Sequence, residues 1–368
     1  MIDGHFTLGV EEEYQIVHPE TRELRSYVSR IIEDGKSILR ERVRSEMHQS
    51  MVEVGTGVCK NVQEVRSELC EMRGELDKLA RKGGLRIMAA STHPFADWKT
   101  QDITDHARYH NIVHDMQDTA RANLIFGLHI HVGIKDKQVA LAMANQVRYF
   151  LPHLLALTTS SPFWLGRKTG LMSTRCQIFK RFPRTGIPDE WESVETLDRY
   201  VQTLVKTGSI DNGKKLWWDV RPHYMFDTVE VRICDMPTTM DHTVAVVALV
   251  QALMAKLYLM YRRNTSWRSY HRALIEENKW RALRYSTEAK MIDFGLEQEK
   301  PFAGLVDELI DFVKETTDIF GTGAHMNTIR DIVKGGTSAH RQIEVFEKSG
   351  QDLKAVCDWV MTETMRGI

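Results

Sequence analysis

The segment FTLGVEEEYQIV, at residues 6–17, decides the fold because its side chains alternate between two chemical types. The even-numbered positions are apolar except for Glu12, whereas the odd-numbered positions before Val17 carry Thr7, Gly9, Glu11, Glu13 and Gln15. An alternation with a period of two predicts a β-strand with one buried face and one polar face. Glu12 points to the buried face, where its carboxylate needs either a buried basic partner or a place at the edge of the sheet.

Three further segments repeat this alternation and carry charged or histidine side chains on their polar faces. These side chains are Glu53 within 51–55, His129 and His131 within 124–134, and Glu230 and Arg232 within 229–233. Such strands are typical of an antiparallel sheet, because one of its faces is covered while the other meets solvent or a ligand. A doubly wound parallel sheet would show continuous apolar runs instead.

Helices that could cover the apolar face are predicted from apolar side chains that recur every three or four residues. Such patterns lie at 62–79, 137–158, 243–263, 306–320 and 353–364, and no strand pattern is clear in the last hundred residues. We therefore predict an α+β fold in which helices pack on the outer face of a mostly antiparallel sheet. We expect one domain over residues 1–368, mainly helical from about residue 240.

The overall charge is nearly balanced, but its distribution along the chain is not. Among 368 residues, 49 Lys and Arg oppose 50 Asp and Glu, which leaves a formal charge of −1. This balance excludes a global attraction to nucleic acid or to acidic lipid. Residues 161–188 nevertheless contain six basic side chains and no acidic one. A long irregular segment of this kind is typical of a functional lid or of a disordered region.

Several features predict a cytoplasmic protein with no membrane association. The five cysteines show no metal-binding or Cys-x-x-Cys spacing: Cys59, Cys70, Cys176, Cys234 and Cys357. They are therefore expected to be reduced thiols. The first residues lack the basic and apolar regions of a secretion signal. The apolar stretch 243–261 carries Gln251 and Lys256 near its middle, so we interpret it as a buried core helix rather than a membrane span.

The shared polar face would bring four glutamates together with histidine and arginine side chains. Two carboxylates about 4 Å apart repel by about 4 kcal/mol at an effective dielectric of about 20, so such a group needs cations or must protonate. Mg²⁺ or Mn²⁺ fits, because these ions prefer carboxylate oxygens. Gly9, Gly55, Gly127 and Gly133 on the same face would let a ligand approach the backbone. Solvated carboxylates and a structural Glu230–Arg232 ion pair remain alternatives.

The common nucleotide-binding and hydrolase motifs are absent from the sequence. There is no P-loop, no complete dinucleotide fingerprint, no Gly-x-Ser-x-Gly elbow, no His-Glu-x-x-His and no kinase signature. Any nucleotide would therefore be bound through metal ions and arginines.

Seven motifs, in their order along nearly the whole chain, resemble the carboxylate–amine ligase family, the second type of glutamate–cysteine ligase. They are GVEEEYQIV at 9–17, SMVEVGTGVC at 50–59, GLHIHVGI at 127–134, SSPFWLGRKTG at 160–170, WWDVRPH at 217–223, TVEVRICD at 228–235 and NKWRALRY at 278–285. The resemblance implies a fold like that of glutamine synthetase and the guanidino kinases, in which a curved antiparallel sheet holds ATP and magnesium in its concavity.

The resemblance also implies roles for individual residues. The implied metal ligands are Glu11, Glu13, Glu53, His129 and Glu230. The implied catalytic residues are Arg232, at the transferred phosphoryl group, and Glu53. Arg281 and Arg284 fall in a motif associated with substrate or nucleotide phosphate, and Arg167 and Lys168 of the basic segment would supply further cations for a nucleotide triphosphate. His131 lies where more distant relatives carry an amide, and its role stays open.

The implied function is an ATP-dependent ligase that forms a γ-glutamyl amide from glutamate and an amine such as cysteine, through an acyl phosphate. Mg²⁺, or alternatively Mn²⁺, would be the metal, and the family suggests a homodimer. Two other hypotheses remain open at this stage. One is a metal-dependent hydrolase in which His129, His131 and the glutamates activate water. The other is a catalytically silent binding protein on the same scaffold.

Overall fold

The computed structural model describes residues 6–39 and 42–368. Its strands are β1 (Leu8–Val17), β2 (Val43–Ser45), β3 (Met51–Gly55), β4 (Arg86–Met88), β5 (Leu128–Gly133), β6 (Phe163–Trp164), β7 (Arg167–Lys168), β8 (Thr185–Gly186), β9 (Trp217–Trp218), β10 (Val220–Pro222), β11 (Thr228–Val231), β12 (Lys290–Asp293) and β13 (Gln298–Pro301). Its helices are α1 (Val28–Leu39), α2 (Val62–Lys82), α3 (Ala107–Met116), α4 (Asp118–Arg121), α5 (Lys137–Val147), α6 (Leu151–Thr158), α7 (Thr174–Phe179), α8 (Val194–Lys206), α9 (Met240–Arg262), α10 (Arg272–Tyr285), α11 (Phe302–Phe320), α12 (Gly323–Gly335), α13 (Ser338–Lys348) and α14 (Leu353–Thr364).

A seven-stranded sheet forms the centre of the molecule. Its strand order is β10-β11-β5-β1-β3-β2, and β4 pairs with the C-terminal end of β1. Every pairing in this sheet is antiparallel. The predicted α+β fold with a mostly antiparallel sheet is thus confirmed. All four alternating segments contribute strands, and β1 lies between the strands that carry the other polar faces.

The apolar side of the sheet is covered by helices, as the alternation predicts. On β1 the side chains of Leu8, Val10, Tyr14 and Ile16 are at most 1% exposed. The helices α2, α5 and α9 contact strands of the sheet from this side, and their apolar residues join one continuous core with β1. The outer helical layer of the prediction is therefore confirmed.

Helix α9 is the apolar segment whose length would suit a membrane. It is long and apolar enough to cross a bilayer, yet 83% of its most apolar window is buried inside the protein. The Gln251 side-chain amide donates to the Phe6 carbonyl at 2.9 Å, and Lys256 pairs with Glu315 at 2.8 Å. Because both polar side chains find protein partners, the helix packs in the core, as predicted.

Glu12 has the buried basic partner that its position demands. Its Oε1 lies 2.6 Å from Nη2 of Arg73 on α2, and both side chains are fully buried. The Tyr14 hydroxyl donates to Glu12 and accepts from Nε of Arg73. Arg73 also donates to the carbonyls of Thr238 and Thr364, so this cluster ties β1 to α2 and to the C-terminal helix.

Two expectations about local structure are wrong. The last hundred residues contain the hairpin β12–β13, which alternation does not reveal because β13, QEKP, has no apolar side chain apart from its proline. The basic segment 161–188 is not simply irregular, since it forms β6, β7, α7 and β8. Arg175 of this segment is buried, with 4% of its surface exposed.

The five cysteines, all within the described residues, are unpaired as expected.

Candidate active site

A cavity of about 490 Å³ lies over the polar face of the sheet. It is lined by side chains from β1, β2, β3, β5, β10 and β11, together with residues of α3 and α7. This volume lies in the range of small-molecule sites, about 300–1,000 Å³. The polar faces of the strands therefore converge as predicted, and they line a single cavity.

The strand register explains why these side chains meet. Across β1 and β5, Glu11 pairs with His129, and across β5 and β11, His131 pairs with Glu230. Glu53 lies opposite Glu13 across β1 and β3. Directly paired residues of antiparallel strands project to the same face with their Cβ atoms about 5 Å apart. Each pairing therefore places two metal-binding or charged groups side by side.

Two groups of three side chains are close enough to share a cation. Ligand atoms of Glu11, Glu53 and His129 lie within 4.8 Å of one another, as do those of Glu11, His131 and Glu230. Glu11 belongs to both groups, and its Oε2 lies 3.1 Å from Nδ1 of His129.

This donor set fits a divalent metal ion. It is dominated by carboxylate oxygens, which Mg²⁺ and Mn²⁺ prefer. Nε2 of His131 is buried and has no hydrogen-bond partner among the described residues, although it faces the carboxylates of Glu11 on β1 and Glu230 on β11. A buried nitrogen that has no protein hydrogen-bond partner and faces carboxylates fits a place beside a cation. Four of the five predicted metal ligands belong to these two groups.

The electrostatics of the carboxylates follow from burial and from their neighbours. Burial, together with the charges of Glu11 and Glu46, raises the pKa of Glu53 well above its ordinary range. Burial also opposes ionisation of Glu11, but His129, which is hydrogen-bonded to it, and the neighbouring His131 hold its pKa below the ordinary value. Burial lowers the pKa of His129 to about 4, so its ring is neutral and able to bind a metal.

Glu13 is separate from both three-residue groups. It accepts a hydrogen bond from the backbone N–H of Gly127. Burial, assisted by the charge of Glu46, raises its pKa to about 8, while Arg175 acts in the opposite direction. The predicted role of Glu13 as a metal ligand remains a prediction.

Arginine side chains form the other part of the lining. Arg221 donates to Glu230 at 2.7 Å, and Arg232 donates to the other oxygen of the same carboxylate. Burial disfavours the ionised form of Glu230, but Arg232 and Arg221 outweigh it and lower the pKa of this residue well below its ordinary value. Glu230 and Arg232, which the alternation placed on one strand face, thus form an ion pair that lines the cavity.

Arg175 reaches the cavity from the basic segment. Its guanidinium donates to the carbonyls of Arg232 and Ile233 at 3.1 and 3.2 Å, and it lies 3.8 Å from Asp235. A Cβ at Gly127 would collide with this guanidinium. The glycine expected to admit a ligand therefore makes room for an arginine of the protein itself.

Sequence reasoning missed several residues that line the cavity: Arg44, Glu46, Arg108 and Arg221, whereas Arg175 was expected only as one of the six basic residues of segment 161–188. Arg44 and Arg221 lie opposite Glu53 and Glu230 in strands of three residues, which are too short for alternation to be recognised. Arg221 does occur in the quoted WWDVRPH motif, which was the available signal.

The residues predicted to bind nucleotide phosphates lie outside the lining of the cavity. Arg281 pairs with Glu299 at 2.6 Å, and Arg284 stacks on Tyr285. Arg167 and Lys168 are exposed on β7, where Lys168 pairs with Glu347. None of the four predicted residues lines the cavity. Their nucleotide-binding roles remain predictions.

Comparisons with known sequences agree with this geometry. A family model described as glutamate–cysteine ligase family 2 (GCS2) matches residues 7–359. A protein of Sorangium cellulosum, provisionally named glutamate–cysteine ligase 2, is 60% identical over 370 residues, which cover 100% of this chain and 98% of that protein.

Two solved structures show the same fold. A bifunctional glutathione synthetase from Pasteurella multocida has a TM-score of 0.71 at 13% identity, over 98% of this chain and 52% of that longer one. Glutamate–cysteine ligase from Francisella tularensis, solved in complex with AMP, has a TM-score of 0.70 at 12% identity, over 98% of this chain and 89% of that one. The chain therefore belongs to glutamate–cysteine ligase family 2, a family of ATP-dependent carboxylate–amine ligases.

Proposed function

We propose that this chain joins the side-chain carboxyl group of glutamate to an amine, using ATP together with Mg²⁺ or Mn²⁺. One observation carries the proposal. The same cavity holds carboxylate and imidazole groups suited to divalent cations and also the guanidinium groups of Arg175, Arg221 and Arg232. A metal-bound triphosphate needs both, because its own charge must be neutralised while its oxygens are held in place.

The reaction would proceed in two steps. The γ-carboxylate of glutamate attacks the γ-phosphorus of ATP, which forms an acyl phosphate and releases ADP. The amine then attacks the acyl carbon, and the amide forms as inorganic phosphate and a proton leave. Cysteine is the acceptor suggested by the family.

The residues of the chain would position and stabilise the reacting groups. Glu11, Glu53, His129 and Glu230 would hold the divalent cations, which when bound supply positive charge at the phosphoryl oxygens. Arg232 faces the cavity with a buried Nε that has no hydrogen-bond partner in the described part of the chain. This N–H can donate to a phosphoryl oxygen as negative charge builds there.

An assay of products tests the proposal directly. The purified protein is incubated with ATP, Mg²⁺ or Mn²⁺, glutamate and a panel of amino acids and amines. ADP and phosphate release are measured, and the amide is identified by mass spectrometry. We expect ADP and amide in equal amounts with at least one acceptor. If no acceptor in a broad panel supports ADP release, the proposal is wrong.

A matched pair of variants assigns the activity to the cavity. Glu53→Gln keeps the size of the side chain but removes an ionisable carboxylate from one of the two cation-binding groups, so turnover should fall at least about 100-fold. Glu344→Gln removes an exposed carboxylate on α13 and should leave turnover unchanged. Equal turnover in Glu53→Gln and Glu344→Gln would contradict the assignment.

The same assay separates the two alternative functions. A hydrolase is not favoured by the family match and would release no ADP, and a silent binding protein would show no turnover at all.

We also infer the cellular setting and the assembly of the protein from its sequence and its family. We expect residues 1–368 to act as one catalytic domain. We also expect the protein to be cytoplasmic, since its cysteines are unpaired. We also expect a homodimer, which sedimentation equilibrium of the purified protein would test. A monomer at all concentrations would exclude the dimer without affecting the proposed reaction.

A further inference from the structure

One wall of the cavity is apolar, in contrast to the carboxylates and arginines that the sheet contributes. This apolar wall consists of Met47, Tyr109, Ile112, Phe179, Phe182 and Trp217. Most of these residues belong to a small core cluster that is distinct from the main core, and Trp217 packs against that cluster. The ring of Phe182 meets Trp217 edge-on with centroids 5.6 Å apart and lies 6.1 Å from the ring of Phe179. The wall is therefore a continuous packed surface.

The apolar wall does not suit glutamate or a metal-bound triphosphate. Their charged groups would lose hydration against it and gain no hydrogen bond in return. The amine, in contrast, can carry an apolar substituent, and removing such a substituent from water is favourable. An aromatic substituent would also gain from edge-on or offset contacts with Tyr109, Phe182 and Trp217. The base of ATP is a weaker candidate, because its ring nitrogens and amino group need hydrogen-bond partners of their own.

Two hydrogen-bond acceptors lie beside the apolar wall without partners. Oδ1 of Asn123 and Nδ1 of His48 are buried, and neither has a hydrogen-bond partner among the described residues. Both residues line the cavity. His48 follows Met47 of the wall, and the backbone N–H of Asn123 donates to the carbonyl of Ala120, which belongs to the same core cluster. Because buried polar atoms are usually paired, these two acceptors are available to a ligand with N–H groups.

The hydrogen bonding of His48 identifies Nδ1 as an acceptor. Its Nε2 lies 2.9 Å from the carbonyl oxygen of Arg121, and since a carbonyl only accepts, Nε2 carries the hydrogen. Burial lowers the pKa of His48 to about 4, so the ring is neutral at pH 7 and Nδ1 keeps its lone pair. A primary amine that attacks an acyl carbon is neutral and has two N–H groups. Two acceptors beside an apolar surface therefore match an amine with an apolar substituent.

We infer that the amine acceptor carries an aromatic or bulky apolar substituent, which packs on the apolar wall while Asn123 and His48 accept hydrogen bonds from its N–H groups. The inference rests on the proposed function, in which this cavity joins glutamate to an amine. It makes the acceptor larger and less polar than cysteine. The wall and the two acceptors select the amine and take no part in binding the triphosphate.

Paired acceptors test the nature of the substituent. ADP release by the purified full-length chain is measured with ATP, Mg²⁺, glutamate and two pairs of acceptors that differ by one phenyl group: 2-phenylethylamine against ethylamine, and phenylalanine against alanine. We expect the phenyl group to raise kcat/KM at least about 10-fold in one pair or both, because a single methylene in a hydrophobic pocket is worth about 10- to 200-fold. Cysteine should have a lower kcat/KM than the better aromatic acceptor.

Matched tryptophan variants locate the phenyl group on the apolar wall. Trp217→Ser removes one ring of the wall, so the ratio of kcat/KM between the phenyl acceptor and its small partner should fall at least about 10-fold. Trp280→Ser removes a ring that is 43% exposed on α10, and it should keep the ratio of the wild type. Thermal unfolding verifies that each variant is folded. If Trp217→Ser does not fold, Ile112→Asn takes its place with the same expected fall.

A second pair of variants tests the recognition of the N–H groups. Asn123→Leu removes one acceptor and should raise KM for the amine about 10-fold while KM for ATP stays that of the wild type. Asn327→Leu changes an exposed side chain on α12 and should leave both KM values unchanged. An unchanged KM for the amine in folded Asn123→Leu would overturn the role of Asn123.

Three results would overturn the inference and leave the ligase proposal intact. The first is a gain below about 10-fold from the phenyl group in both pairs. The second is a higher kcat/KM for cysteine than for either aromatic acceptor. The third is an unchanged acceptor ratio in the folded wall variant, and if KM for ATP rises there instead, the wall contacts the base of the nucleotide.

Binding without nucleotide separates this inference from the proposed function. The affinities of 2-phenylethylamine and ethylamine are measured by ligand-observed NMR in the absence of ATP. We expect 2-phenylethylamine to bind at least about 10-fold more tightly, and Trp217→Ser to remove this difference. If a protein that releases no ADP with any acceptor gives this result, only the proposed reaction fails. If such a protein binds 2-phenylethylamine no more tightly than ethylamine, the inference fails as well.

Discussion

Replacing Arg73 with methionine should destabilise the protein more than any change to its surface ion pairs. Arg73 and Glu12 are both fully buried, with 2.6 Å between Nη2 and Oε1. Arg73→Met leaves the carboxylate of Glu12 without its cation in the core. Breaking a buried pair by removing one partner costs about 3–5 kcal/mol. The carbonyls of Thr238 and Thr364 also lose their donor.

Urea unfolding followed by tryptophan fluorescence measures this loss. A loss of about 3–5 kcal/mol is a large part of the 5–15 kcal/mol that stabilises an ordinary domain. The double variant Glu12→Met with Arg73→Met removes both charges, and it should regain much of the loss because no unpaired charge remains. Arg30→Met is the matched control, since its pair with Glu33 is exposed and should contribute less than about 1 kcal/mol.

Two results would refute this reasoning. A loss below about 1 kcal/mol in Arg73→Met would show that the pair is not buried as described. A double variant no more stable than Arg73→Met would show that an unpaired Glu12 is not the cause of the loss.

Three further predictions concern the cavity and the core. Arg175→Met should lower kcat about 10- to 100-fold in protein that thermal unfolding shows to be folded, because Arg175 holds the backbone of Arg232; an unchanged kcat would exclude this positioning role. Gly127→Ala should show a similar kinetic defect because its Cβ would collide with Arg175, whereas Gly304→Ala on α11 meets open space and should leave kinetics unchanged. Burial lowers the pKa of His93 to about 4, so its contribution to stability is complete above about pH 6.5 and is lost as pH falls toward 4. Between pH 7 and 5 the wild type should lose about 2 kcal/mol more unfolding free energy than His93→Gln in urea titrations, and equal losses would contradict the assignment.

The main sheet could be predicted because its strands are amphipathic. In β1 and β5 every second residue is buried against helices, so the period of two is visible in the sequence itself. The hairpin β12–β13 was missed for the opposite reason. Its two strands have only four residues each, Met291 is the one fully buried side chain among them, and β13 is polar, so their pairing depends on backbone hydrogen bonds that any residue type can make.

The candidate site was predicted in part for a similar reason. Glu11, His129 and Glu230 share a face by alternation alone, so their convergence required only that the strands be neighbours. That Arg175 is the basic residue of segment 161–188 that enters the cavity could not be predicted, because α7 approaches the sheet through a chain excursion whose path has no periodic signal. The same limit explains why Arg281 and Arg167 were expected near a phosphate although both lie outside the cavity lining.

The sequence by itself determined which side chains share the polar faces of β1, β3, β5 and β11, that the opposite faces are apolar, and which family the motifs resemble. Only the tertiary structure decided which of these side chains touch. The strand register set Glu11 against His129 and His131 against Glu230, and packing on α2 supplied Arg73 to Glu12. The physical reason is that alternation is a local property of one strand. Register and helix packing depend on contacts between residues far apart in the chain, which a local pattern does not record.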